Sequence, residues 1–181
     1  MRAAALFTLV ALSACAQSNG LERKIQAVAP SGIAWALVEV PMVAGHGTVC
    51  NHWYGDWNSI TTHRNKILLD GPRKLRLLFR VNAGKIERIS SASEDCAIEA
   101  GAQRIETVSN VGAEEVVNYL ASRDDDSHIF ALSLIDHPSA TPKLIALAKD
   151  ASNPKRQKKA FFWLARSKNP DALAYIDRIL R

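Results

Sequence analysis

The sequence has no apolar run near the roughly 20 residues that a helix needs to span a bilayer. Among its 181 residues there is no glycine-rich phosphate loop, no G-x-S-x-G elbow and no H-E-x-x-H pair. The usual sequence signs of phosphate cradling, acyl transfer and zinc hydrolysis are therefore missing. No catalytic residue is assigned, no enzyme activity is expected, and no cofactor is expected. One-sided charge is also missing: the net charge of +5 is too small to argue for nucleic acid. With 48% hydrophobic and 23% charged residues, the composition is that of a globular chain. Cysteine is scarce, limited to Cys15, Cys50 and Cys96.

What is present begins with Arg2, the only charge before Leu21, followed by AAALFTLVAL and then SACA. A basic tip, a short hydrophobic core and a small-residue zone form the layout of a secretory leader, expected over residues 1–16. Ala14-Cys15-Ala16 fits ordinary cleavage before Gln17. Leu12-Ser13-Ala14-Cys15 also resembles the bacterial lipobox, which implies a diacylglycerol on Cys15 and a membrane anchor. The brevity of the leader favours the lipoprotein reading. Residues 17–32 are polar, mixed in charge and closed by Pro30-Ser31-Gly32, which reads as a tether.

Either cleavage removes Cys15 from the thiol count. In an oxidising envelope compartment the remaining pair predicts a Cys50–Cys96 disulfide, closing a loop of 46 residue steps. Residues 33–110 read as a small antiparallel sheet. IAWALVEV (33–40) is rich in strand formers and stops at Pro41. In KLRLLFRV (74–81), Leu75, Leu77, Phe79 and Val81 alternate with Lys74, Arg76 and Arg80. That alternation predicts one core face and one basic, wet face, with Leu78 as the exception. Asn82-Ala83-Gly84 supplies a turn and KIERIS (85–90) returns as a hairpin partner. A last, weaker strand is expected over 101–108.

Between Pro41 and Asp70 lies a histidine-rich stretch with His46, Cys50, His52, Trp53, Trp57 and His63. His46 and His52 are weak metal-ligand candidates, since their spacing matches no standard closed site and Cys50 has a competing partner. Asp124-Asp125-Asp126 lacks the alternation and glycine of a calcium loop and fits a helix start instead.

Residues 111–181 change to helical periodicity. Helices are expected near 113–122 and 127–136, and after the capping pairs Thr141-Pro142, Asn153-Pro154 and Asn169-Pro170. Leu144, Leu147 and Ala151 recur 29 positions later as Leu173, Ile176 and Leu180. Ala131, Leu132, Leu134 and Ile135 map in the same way onto Ala160, Phe161, Trp163 and Leu164. A period near thirty with two helices per unit signals an α-solenoid, and an ordinary helical bundle is the alternative.

NPKRQKKAFFWLARSKNPDALAYIDRIL (153–180) resembles the HEAT repeat, particularly its short bacterial form, with Ala165 where such forms often carry glycine. The whole chain also resembles a set of small exported bacterial proteins through VEVPMVAGHGTVCN and SEDCAIEAGAQRI. The resemblance implies an α+β chain: a β-rich part followed by HEAT-like antiparallel helical hairpins. It also implies export, and no established activity.

HEAT-type stacks present a helical face to another macromolecule. Lys155, Arg156, Lys158 and Lys159 are the candidate interaction surface. The expected role is a non-catalytic envelope module that binds another envelope protein, with no nucleic acid. Binding of an anionic envelope polymer or membrane surface through basic faces is the alternative. Metal or enzyme chemistry in the loop 46–63 is a second.

Overall fold

A computed structural model describes residues 14–50, 68–167 and 169–181, with side chains from Gly20 onward. The leader run, the Cys15 side chain, His52, His63, Trp53 and Trp57 lie outside what is described. The elements are α1 (Ala14–Gln26), β1 (Ile33–Pro41), β2 (Lys74–Asn82), β3 (Lys85–Ser93) and β4 (Ile105–Thr107). They are followed by α2 (Ala113–Ala121), α3 (Asp126–Leu134), α4 (Ala140–Lys149), α5 (Pro154–Arg166) and α6 (Pro170–Leu180). The class is α+β.

The strand order is β3-β2-β1-β4. β2 pairs antiparallel with both β1 and β3, but β4 pairs parallel with β1, Trp35 opposite Ile105. The sheet is therefore mixed, which corrects the antiparallel expectation. A parallel neighbour requires a crossover connection, and residues 94–104 supply it on the outer face of the sheet. That crossover carries Cys96 and Ile98 onto Leu78, Trp35 and Leu37. Leu78, the residue that broke the alternation of β2, is buried in this small second cluster.

The other face of the sheet holds the main core. Leu75, Leu77, Phe79 and Val81 of β2 are fully buried, as are Ala34, Ala36 and Val38 of β1. The β2–β3 hairpin turns through Ala83 at φ 45° and Gly84 at φ 75°. Two consecutive positive φ values define a type I′ turn, which matches the twist of the flanking strands.

Residues 17–32 do not behave as the expected tether. Leu21 and Ile25 are fully buried and join Val28 and Ala29 in the main core. Their i, i+4, i+7 spacing is that of an amphipathic helix, and the polar average of the segment conceals it. α1 packs against α2, β2 and β3.

Asn153 and Asn169 cap α5 and α6, accepting from the backbone N–H of Arg156 and Asp171. Asp125 caps α3, accepting from the N–H groups of Ser127 and His128. Thr141 does not cap α4, which starts at Ala140. Pro142 then sits in the first turn, where its missing N–H is one of the four that no intrahelical carbonyl reaches. One apolar core runs from Leu21 through the sheet to Tyr175.

Candidate functional site

Cys50 and Cys96 form a disulfide with Cα atoms 5.4 Å apart, within the ordinary range. It staples the segment after β1 to the end of β3. Beside it, Ser93 Oγ accepts from Val49 N–H at 2.9 Å, and Thr48 Oγ1 donates to the buried Asp95 at 2.6 Å. The bond fits an oxidising compartment outside the cytoplasm. It also takes the Cys50 thiolate out of any ligand set. His46 is half-buried, with Nδ1 3.2 Å from Gly47 O. Among the described residues no three His, Cys, Asp or Glu side chains gather as a metal site, and no helix among them is long and apolar enough to cross a membrane.

The basic run of α5 divides. Arg156 Nε lies 3.3 Å from Asp124, and its guanidinium also donates to Ala121 O. Lys159 lies 3.1 Å from Asp126. These two cations bind α5 to the start of α3. Lys155 and Lys158 point to solvent. The aromatic triplet divides too. Trp163 is buried against Phe130, ring centroids 4.5 Å apart, Phe161 packs on the core, and Phe162 stays 45% exposed.

Lys158 opens onto a groove of about 490 Å³ between α4, α5 and α6, lined by Lys149, Phe161, Tyr175 and Ile179. Lys149 Nζ sits 5.5 Å from the centre of the Tyr175 ring. Next to the groove, α6 leaves apolar side chains in water. Leu144 of α4 is 3% exposed, whereas Leu173, 29 positions further on, is 50% exposed and Leu180 is 77% exposed. Between them Ile176, 29 positions after the buried Leu147, packs on the core, so the opening on α6 is confined to Leu173 and the last turn.

A second cavity, about 540 Å³, lies between α1, the β2–β3 hairpin and the start of α3. Arg123 donates to Glu22 at 2.6 Å and lies over the Tyr119 ring at 4.6 Å. Tyr119 in turn is 5.8 Å from the His128 ring. His128 is nearly buried, with Nδ1 facing the Asp125 carboxylate and Nε2 without a hydrogen-bond partner among the described residues. Burial pushes the Tyr119 phenol up to about 12, with Arg123 opposing and Glu22 and Asp125 assisting. Burial alone would raise the Asp125 carboxyl, but His128 and the capping N–H groups outweigh it and hold it below the usual carboxylate range. Burial disfavours the Arg123 charge, and the hydrogen bonds to Glu22 and Tyr119 more than restore it.

Sequence reasoning named none of Glu22, Tyr119, Arg123 and His128. The available signal was Asp125 and His128, three apart at the head of an otherwise apolar helix. The fold and these features define an α+β protein with a disulfide-stapled sheet, an open helical face and a separate polar cleft. No family model matches the chain, and no curated protein and no solved structure matches it either.

Proposed function

We propose that this protein is a non-catalytic interaction module of a bacterial cell envelope, whose HEAT-like C-terminal helices dock a polypeptide partner. The observation that carries this reading is the contrast between Leu144, 3% exposed, and its repeat counterpart Leu173, 50% exposed. The position buried on α4 is left open on α6, which also exposes Ile179 and Leu180. Large apolar side chains left exposed together on one helix are a mark of an interaction site. The occupant that suits it is an amphipathic helix laying apolar side chains against α6. Acidic residues on its flank would meet Lys149 and Lys158, and Lys155 lies further along α5.

The lipid anchor on Cys15 and the envelope location belong to this proposal. With α1 beginning at Ala14, an acylated Cys15 would stand only about 9 Å of helix from the buried Leu21. The domain would then rest against the membrane surface with no spacer. Intact mass and membrane fractionation, with and without Cys15→Ala, test this part. A mature chain that starts at Gln17 and carries no lipid mass overturns it.

Docking is tested by co-purification from the native host, using wild type and the double variant Leu173→Asp/Leu180→Asp. A discrete protein retained at high salt by wild type and lost by the variant supports the reading. Retention lost at high salt but insensitive to the double variant favours the alternative, an anionic polymer bound through basic faces. That alternative is weakened by Arg156 and Lys159, whose charges face Asp124 and Asp126.

A further inference from the structure

The cleft between α1, the β2–β3 hairpin and α3 has a polar inventory that is one-sided once internal pairing is subtracted. Its carboxylates are engaged. Glu22 accepts from Arg123, Glu87 accepts from Arg80 and from Asn82, and Asp125 accepts from two backbone N–H groups while facing His128. Among the buried polar atoms of its wall, Nε of Arg123 and Nε2 of His128 have no hydrogen-bond partner among the described residues. Unpaired buried polar groups destabilise a folded protein, so those kept in one cavity wall call for an explanation.

The two atoms ask for different partners. Arg123 Nε is a donor and takes an anionic oxygen. His128 presents Nδ1 to Asp125, which in the neutral ring favours the tautomer with the proton on Nδ1 and a lone pair on Nε2. That lone pair accepts a hydrogen bond from a hydroxyl. Lys85, on the hairpin side of the same cleft, is exposed and adds a second positive charge at the rim. Ile86 and Ile89 give the opposite wall apolar surface. The volume, about 540 Å³, is that of a small-molecule site.

We propose that this cleft binds a small hydroxyl-bearing organic acid of about the size of a sugar acid. Its carboxylate is held by Arg123 with Lys85 at the rim, and one hydroxyl donates to His128 Nε2. Asp125 and Glu22 act as positioning residues, Asp125 by orienting the imidazole and Glu22 by fixing the guanidinium. The site is independent of the docking face on α6, and neither proposal needs the other.

The test is a titration of the full wild-type protein with three probes: glucuronate, glucose and hexanoate. Glucose lacks the carboxylate and hexanoate lacks the hydroxyls. Two-dimensional NMR of the histidine ring nitrogens and backbone amides reads the result. Glucuronate is expected to shift the His128 Nε2 resonance and the amides of Arg123 and Ser127, leaving those of Leu173 and Lys155 unmoved. Glucose and hexanoate are each expected to bind at least about tenfold more weakly, the loss of one charge-assisted or buried hydrogen bond. Lys85→Ala, an exposed change that leaves the fold intact, should weaken glucuronate a few-fold. Arg123→Gln should weaken it about tenfold or more. Equal binding of glucose and glucuronate overturns the proposal, as does the absence of any shift at His128. So does binding by Arg123→Gln as tight as that of wild type.

Discussion

Arg156, in the first turn of α5, places Nε 3.3 Å from the Asp124 carboxylate just ahead of α3, and its side chain is only 13% exposed. The most conspicuous basic run of the sequence is thus partly an internal fastening. Arg156→Ala should lower stability by about 1–3 kcal/mol through loss of a hydrogen-bonded charge, while Lys155→Ala should stay within about 0.5 kcal/mol. Urea denaturation of the two variants separates them.

Ile25 is fully buried in the main core although its neighbours Glu22, Arg23 and Lys24 are charged. Ile25→Ala should cost about 2–5 kcal/mol, the range for emptying a packed aliphatic site. A tether would lose nothing, so an unchanged midpoint in thermal or urea unfolding would remove α1 from the core.

Ala83 adopts φ 45°, a left-handed conformation that costs a non-glycine residue about 1–2 kcal/mol. Asparagine tolerates this region and is preferred at the first position of a type I′ turn. Ala83→Asn should therefore raise stability by about 0.5–1 kcal/mol, read as a higher denaturation midpoint with the slope unchanged.

Asp125 holds a folded-state pKa below its ordinary value. A depressed carboxyl stabilises the fold above its unfolded value, near 3.9, and loses that contribution as pH falls through the folded value. Wild type should exceed Asp125→Asn in melting temperature at pH 5–7, and the gap should close below about pH 4. Melting curves across that range check the sign.

The sequence was most legible where one local rule acted alone. The alternation in Lys74–Val81, the Asn-Pro starts at 153 and 169 and the pairing of Cys50 with Cys96 each follow from residue chemistry over a few positions. It was least legible where tertiary contacts decide. The buried face of α1 rests on only Leu21, Ile25 and Val28 within a polar segment. The parallel seating of β4 depends on how residues 94–104 cross the sheet, which no short pattern encodes. The cleft joins Glu22, Arg123 and His128 from two distant stretches of chain, so no spacing could announce it. The basic run of α5 is only partly a surface, because Asp124 and Asp126 at the start of α3 also receive Arg156 and Lys159.

The docking face on α6 is tested most directly by a photo-crosslinking residue placed at Leu173 in the full-length protein, expressed in its native host. One discrete protein adduct is expected, abolished by Leu180→Asp in the same chain while the melting temperature is unchanged. A crosslinker at exposed Lys155 should give the adduct weakly or not at all. Absence of any protein adduct at Leu173, or an adduct indifferent to Leu180→Asp, would contradict the proposed docking face.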